Sequence, residues 1–263
     1  MWREDRPGHL RLGTGFGSHA AVTLIAQGLG INIFESSSTT PVIAVDGPAG
    51  VGKGVVTRWL MSHTGWHRLD SGALYRILAL AADRAGIPLD ESERVAAVAS
   101  TLDIRFTGDT EANEAIMVNG ENWTLALREE TTGDLASRIA TATVVRDALM
   151  QRQRDFRTAP GLIADGRDMG TVVFPDAVLK LFLDASPEAR AERRHRQLSR
   201  KGLDVNLADL FAEVRARDER DRTRTVAPLV AAVDAITIDT TTLGVDEVLA
   251  VVAQLLNDRK LFF

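Results

Sequence analysis

The sequence contains no cysteine, which excludes a disulfide framework, a thiolate zinc site and a cysteine nucleophile. It has no excess of positive charge either, since the formal net charge is −5, and this disfavours a broad nucleic-acid-binding surface. The apolar stretch 20–34 is broken by Gln27, Gly28 and Gly30, and it is shorter than the roughly 20 residues of a membrane-spanning helix. These absences favour a cytoplasmic protein without nucleic-acid or membrane partners.

The overall composition, 45% hydrophobic and 25% charged over 263 residues, is that of a globular protein. Residues 1–40 are rich in glycine and end in the polar run Ser36–Thr40. We therefore expect 1–40 to be a disordered leader, or one introduced by cloning, ahead of a single domain at 41–263.

A glycine-rich turn follows the apolar segment Val42–Asp46, which predicts a strand covered by helices on both faces. The spacing Gly47-x4-Gly52-Lys53 matches a phosphate-binding loop, in which backbone N–H groups and a helix N-terminus face phosphate oxygens. Lysine in such a loop reaches the outer phosphates. Gly54, however, stands where the pattern has a magnesium-binding serine or threonine. An ordinary glycine-rich turn between a strand and a helix is the alternative.

Further short apolar segments alternate with helix-like patterns, which predicts a parallel sheet with right-handed crossovers. These segments are 66–69, 161–165, 178–183 and 235–239. Acidic residues stand at the ends of the segments: Asp46, Asp70, Asp165, Asp168, Asp184 and Asp239. Because ligands gather at the carboxyl ends of parallel strands, these acids indicate a rim that could carry a metal.

Residues 100–126 interrupt this alternation. The stretch 102–106 alternates apolar and polar residues, as a half-exposed strand does. Asn119-Gly120 is a strong hairpin signal, and 121–125 is the expected returning strand. We expect a small inserted antiparallel sheet here, followed by one helix at 136–157.

Arginines are concentrated in 190–224, where two helix-like segments flank the polar loop 199–203. Arg217, Asp221 and Arg224 are spaced i, i+4, i+7 and share one helix face. A solvated helix with ion pairs is one interpretation. Beside a phosphate loop, we favour arginines that hold the charge of a transferred phosphoryl group.

Several segments together resemble bacterial cytidylate kinases, which are nucleoside monophosphate kinases. The segments are 46–54, 70–76, 163–175, 182–185 and 217–224. The resemblance spans about 41–260 and implies an α/β P-loop three-layer fold with a five-stranded parallel sheet in the order 2-3-1-4-5. It also implies an inserted monophosphate-binding subdomain at about 100–135 and an arginine-rich lid at about 190–224. Gly54 fits the Gly-Lys-Gly-Thr of these kinases, whereas Val55 departs from it.

The resemblance implies roles for individual residues. The ATP-binding set is Gly47, Pro48, Ala49, Gly50, Val51, Gly52, Lys53, Gly54 and Val55, with the lid residues Arg190 and Arg194. Implied acceptor contacts are Ser71, Arg76 and Arg167 to the phosphate, Tyr75 lining the pocket, Ser137, Arg146, Asp168 and Arg224 to the cytosine, and Arg217 and Asp221 to the sugar. The catalytic residues are expected to be Lys53, Arg167, Arg217 and Arg224. No protein ligand is assigned to the Mg²⁺ cofactor.

The implied reaction is in-line transfer of the γ-phosphoryl group of ATP to CMP or dCMP, within pyrimidine nucleotide metabolism. The loop 199–203 is expected to close and exclude water. A monomer in the cytoplasm, with these nucleotides as its partners, is the expectation. The alternatives are a kinase that prefers UMP or AMP, a P-loop nucleotide switch and a nucleic-acid-binding protein. No Asn-Lys-x-Asp guanine signature supports the switch.

Overall fold

The computed structural model describes residues 39–107, 115–200 and 202–261, so nearly all of the expected leader at 1–40 lies outside the described residues. In chain order the elements are β1 (Val42–Asp46), α1 (Lys53–Thr64), β2 (His67–Asp70), α2 (Ser71–Arg84), α3 (Ser92–Val98), β3 (Ile104–Thr107), β4 (Ala115–Val118), β5 (Glu121–Asn122), α4 (Thr124–Leu127), α5 (Glu130–Ile139), α6 (Thr143–Arg154), β6 (Leu162–Gly166), β7 (Leu179–Asp184), α7 (Pro187–Ser199), α8 (Leu207–Thr223), β8 (Ile236–Asp239) and α9 (Val245–Asp258). A π-helical turn, Met169–Val173, follows β6.

Five strands form the main sheet in the order β2-β6-β1-β7-β8, and every neighbouring pair is parallel. Counted along the chain, this is the order 2-3-1-4-5, so the expected fold class is confirmed. The predicted strand bounds differ from the observed ones by about one residue.

The central strand β1 explains why the sequence there is continuously apolar. Val42 and Ala44 pack into a cluster with α2, α5 and α6, whereas Ile43 and Val45 pack into a second cluster with α1 and α9. All four side chains are fully buried. Helices therefore cover both faces of the sheet, and the strand carboxyl ends are left as the open edge.

The inserted sheet is present, with β3, β4 and β5 antiparallel. Asn119 and Gly120 both have positive φ, at 50° and 85°, as a tight hairpin turn requires. The prediction of a returning strand over 121–125 was wrong in length, because β5 ends at Asn122. Its Oδ1 accepts hydrogen bonds from the backbone N–H and the hydroxyl of Thr124, at 3.0 and 2.6 Å, which turns the chain into α4.

The single helix expected at 136–157 was also wrong, since the structure has α5 and α6 with a break between them. Thr141 donates its hydroxyl to the carbonyl of Arg138 at 2.7 Å, and Ala142 is extended. A threonine that bonds the preceding turn in this way competes with helix continuation. The break allows α5 and α6 to contribute side chains to the same pocket.

Within the described parts of the chain, no helix is both long and apolar enough to cross a membrane.

Candidate active site

The carboxyl ends of β1, β2 and β6 open onto a cavity of about 710 Å³. Its lining includes the turn after β1, acidic residues at the ends of β2 and β6, and, among the described residues, eight arginines. This is the edge of a parallel α/β sheet where ligands bind.

The turn between β1 and α1 depends on glycine at two positions. Gly47 has a φ of 147°, and a Cβ there would stand 2.1 Å from the carbonyl oxygen of Leu183. Gly52, the residue before α1, has a φ of 101°, a left-handed conformation that side chains rarely adopt. The backbone can therefore curl at the N-terminus of α1, where unpaired N–H groups favour an anion.

Lys53 folds back over this turn. Its Nζ donates to the carbonyl oxygens of Gly47 and Pro48 at 2.8 and 2.9 Å, and the side chain is buried. Burial, together with the nearby charge of Arg167, lowers the pKa of Lys53 to about 7. The ammonium is thus held at the cavity in an environment that would gain from an anionic ligand.

Three arginines line the same cavity as Lys53: Arg76 from α2, Arg167 from the turn after β6 and Arg217 from α8. Arg167 donates its Nε to Asp221 at 3.0 Å, and Arg76 donates to the carbonyl of Leu127 at 2.9 Å. The buried Nε of Arg217 has no hydrogen-bond partner among the described residues.

Burial and neighbouring positive charge also lower the pKa of two of these arginines, whereas the carboxylate of Asp221 raises the pKa of Arg167 despite its burial. Burial and the charge of Arg167 reduce the pKa of Arg217 to about 10, and burial reduces that of Arg76. All of them remain charged at neutral pH, and they repel one another. The cluster is therefore a strong site for phosphate, which relieves this repulsion and accepts hydrogen bonds from the unpaired N–H groups.

Of the six acids at strand ends, Asp70 and Asp165 line this cavity. Asp70 accepts from the backbone N–H of Ala73 at 3.0 Å and so caps α2, and Arg68 lies 3.4 and 3.6 Å from Asp70 and Asp165. Burial raises the pKa of Asp165, against the charge of Lys53, which lowers it. The described residues contain no group of three or more potential metal-binding side chains. Two carboxylates beside a phosphate site nonetheless fit Mg²⁺, which binds one or two carboxylates plus substrate phosphates.

A second, smaller pocket adjoins the first, and Gly72, Arg167 and Arg217 line both. Most of the residues that the resemblance implies for the acceptor line it: Ser71, Tyr75, Ser137, Arg146, Arg167, Asp168, Arg217, Asp221 and Arg224. The exception is Arg76, which lines the larger cavity. The structure thus brings together residues that are up to 153 positions apart in the sequence, Ser71 to Arg224.

Inside the smaller pocket, Arg146 and Asp168 form a buried ion pair, with side chains only 3% and 4% exposed. Arg224 approaches the same carboxylate at 4.0 Å, and the guanidinium of Arg146 lies over the ring of Tyr75 at 5.8 Å from its centre. The buried hydroxyl of Tyr75 has no hydrogen-bond partner in the described part of the chain, and burial raises its pKa to about 12. A pocket with buried side chains and unpaired polar groups suits a flat, polar ligand.

Asp46, the last residue of β1, connects the two pockets. Its two carboxylate oxygens accept from the backbone N–H groups of Met169 and Gly170, each at 2.8 Å. Burial raises the pKa of Asp46 to about 7, although these two hydrogen bonds lower it. Asp46 therefore anchors the π-helical turn that follows Arg167 and Asp168.

Comparisons with known proteins agree with this geometry. The family described as cytidylate kinase matches residues 43–258. The chain belongs to the cytidylate kinase family. It is 53% identical to the cytidylate kinase of Aeromonas salmonicida (strain A449) over 212 residues, which cover 81% of this chain and 92% of the relative. It is also 53% identical to that of Stutzerimonas stutzeri (strain A1501) over 222 residues, covering 84% of this chain and 97% of the relative.

The two arginines that the resemblance assigns to a lid, Arg190 and Arg194, both make contacts within the protein. Arg190 is only 1% exposed and donates to the carbonyl of Ala49 at 3.1 Å and to the carboxylate of Asp218. Arg194 pairs with Glu130 on α5. Neither is among the described residues that line the larger cavity, so Arg190 supports the loop from behind.

Other cationic residues line the larger cavity without having been singled out in the sequence: Arg58, Arg68, Arg128, Arg193 and Arg200. Arg193 and Arg194 are adjacent on α7, so they point in different directions from the helix, and only Arg193 lines the cavity. The helical period in the sequence showed that they lie on different faces, but it did not show which face of α7 lines the cavity. Val55 lines the cavity as a partly exposed apolar side chain, and nothing in the described residues explains this departure from the family pattern.

Proposed function

We propose that this chain transfers the γ-phosphoryl group of ATP to the phosphate of CMP or dCMP, giving ADP and CDP or dCDP. The observation that carries the proposal is the pair of adjoining pockets, one at a phosphate loop and one lined by Arg146 and Asp168. Arg167 and Arg217 line both pockets, as required if a phosphoryl group passes between the two nucleotides. Family membership supports the assignment of cytidylate as the acceptor.

The acceptor phosphate is already a nucleophile at neutral pH, so the reaction needs no strong general base. The residues instead position the two nucleotides and neutralise charge on the transferred group. Lys53 serves the donor phosphates, and Arg76, Arg167 and Arg217 serve the phosphates that meet in the cavity. Preorganised cations in a water-poor site stabilise the transition state without reorganisation during the reaction.

Mg²⁺ enters this scheme as part of the MgATP substrate. Asp70 and Asp165 would hold the ion beside the phosphates, where it supplies further charge neutralisation. A direct ligand from the phosphate loop is not part of the proposal, because Gly54 and Val55 carry no hydroxyl.

We also propose the regional assignments that the resemblance implies. The inserted region of about 100–135 binds the monophosphate, which is supported by the hydrogen bond from Arg76 to the carbonyl of Leu127 at 2.9 Å. The region of about 190–224 is the lid, and the domain as a whole spans 41–263. A cytoplasmic monomer is also proposed, since residues of a single chain line both pockets.

The test is ADP formation from MgATP with CMP, dCMP, UMP and AMP offered in turn. CMP and dCMP should give the largest kcat/KM, with UMP weaker. Turnover that is equal with and without an acceptor would overturn the kinase assignment, and preference for UMP or AMP would overturn the choice of acceptor.

A further inference from the structure

Gln153, which is not among the expected site residues, forms a buried hydrogen bond with the hydroxyl of Ser71 in the smaller pocket. Ser71 lines that pocket and donates its hydroxyl proton to Oε1 of Gln153, on α6, at 2.7 Å. Ser71 is 4% exposed and Gln153 is 1% exposed. Gln153 is not among the residues that line the pocket, so it acts on the pocket through Ser71.

The orientation of the Gln153 amide is fixed by a second contact. Its Nε2 donates to the backbone carbonyl of Leu149 at 3.3 Å. A carbonyl can only accept hydrogen bonds, so the NH₂ group must face Leu149 and the oxygen must face Ser71. With the amide held this way, the serine hydroxyl has an acceptor as its partner and must donate to it.

A serine hydroxyl has one proton to donate and two lone pairs that accept. Because Gln153 takes the proton, Ser71 can present only lone pairs to a ligand in the pocket. Arg146, which lines the same pocket, presents only hydrogen-bond donors. Ser71 is therefore a fixed acceptor of the pocket, and Arg146 is a fixed donor.

This arrangement distinguishes the two pyrimidine bases. Cytosine has an amino donor at position 4 and an acceptor nitrogen at position 3, whereas uracil has an acceptor oxygen at position 4 and an N–H donor at position 3. Ser71 and Arg146 complement the cytosine pair. Uracil would place an acceptor against an acceptor and a donor against a donor, and such buried mismatches are costly.

We infer that Gln153 is a positioning residue that sets the preference for cytosine over uracil, by drawing the Ser71 proton away from the pocket. This inference rests on the proposed function and deepens it. Ser71 accordingly belongs with the groups that meet the base, although the resemblance implies a phosphate contact for it.

The first test compares Gln153→Met with Gln151→Met, using kcat and KM for CMP and for UMP. Methionine has a similar length and no acceptor, so the Ser71 hydroxyl is free to turn and donate to the uracil oxygen. The ratio of kcat/KM for CMP to that for UMP should fall about tenfold, mainly because the KM for UMP falls. Gln151 is exposed on the same helix and bonds to Asp155, so its variant should leave the ratio within twofold. General damage to the fold would instead lower both rates.

The second test introduces Gln153→Met on a Ser71→Ala background. If Gln153 acts through the Ser71 hydroxyl, the added change should leave the CMP-to-UMP ratio where Ser71→Ala alone has set it. The inference would be overturned if Gln153→Met lowered the CMP-to-UMP ratio as much on the Ser71→Ala background as it does when Ser71 is present.

Failure of this inference is distinguishable from failure of the proposed function. A parent enzyme that prefers CMP, with an unchanged ratio in Gln153→Met, overturns the role of Gln153 and leaves the kinase assignment intact. A parent enzyme that phosphorylates no cytidylate overturns the proposed function, and the inference with it.

Discussion

The phosphate loop and the smaller pocket solve the same problem, holding a nucleotide, by different means. The loop is eight consecutive residues, 47–54, and its binding groups are mainly backbone N–H groups at the start of α1. The pocket draws side chains from α2, α5, α6, the turn after β6, and α8. Backbone binding is encoded locally by glycine spacing, whereas side-chain binding depends on where distant helices pack.

The largest expected effect comes from breaking the donor side alone. Lys53→Met should lower kcat with CMP by about 10³, since a preorganised charge at the transferred group is lost. CMP binding, measured by calorimetry, should stay within about twofold because the smaller pocket is intact.

The matched control is Lys180→Met, because Lys180 is as buried as Lys53, at 7% exposure. Its Nζ pairs with Asp234 at 2.8 Å and not with the loop. That variant should lose stability and keep kcat within severalfold. Equal losses of kcat in the two variants would contradict a special role for Lys53.

Breaking the acceptor side should give the next largest effect. Arg167→Met should lower kcat/KM for CMP by about 10², because Arg167 holds phosphate and keeps Asp221 in place. The dissociation constant of ATP should change far less.

The control for Arg167 is Arg220→Met on α8, which removes a partly exposed pair with Asp134 and should change kcat/KM less than twofold. Circular dichroism would establish that each variant is folded. CMP turnover that survives Arg167→Met unchanged would contradict the assignment.

A smaller effect should appear with pH, and only on the donor side. The pKa of Lys53 is lowered to about 7, so the free enzyme loses this positive charge as the pH rises above that value. The affinity for ATP should therefore fall by about tenfold between pH 7.5 and 9, a range that also lies above the pKa of about 7 of Asp46. Lys53→Met should bind ATP more weakly and show no such fall. A pH-independent affinity of the parent protein over this range would contradict the lowered pKa.

Glycine spacing predicted the loop because it is a local pattern, and the apolar segments predicted five strands, whereas the family resemblance implied their order. Val42–Asp46 is apolar throughout since it is buried on both faces, and glycine spacing alone marks the turn that follows. The five strands and their order were predicted correctly, with bounds shifted by about one residue. The members of the smaller pocket were predicted only through the family resemblance, because no local pattern links Ser71 to Arg224.

What the sequence did not predict depends on packing. The break between α5 and α6 arises from one hydroxyl, that of Thr141, bonding the preceding turn. The family resemblance implied that Arg190 and Arg194 contact ATP from a lid, but it did not show that Arg190 is buried against Ala49. Gln153 carries no signal in the sequence, and Asp46 stood out only as one of six acids at strand ends. Their roles exist only because tertiary structure places Met169 and Ser71 beside them.

The buried Arg190 has a mechanical consequence. Through its guanidinium it joins the base of α7 to the carbonyl of Ala49 in the phosphate loop and to Asp218 near the end of α8. Both helices are thereby fixed to the loop at one end, while the connection between them, 200–206, is at their other end. We propose that Arg190 is the fixed point about which α7 and α8 turn, so that movement of their connected ends would be transmitted to the turn after β1.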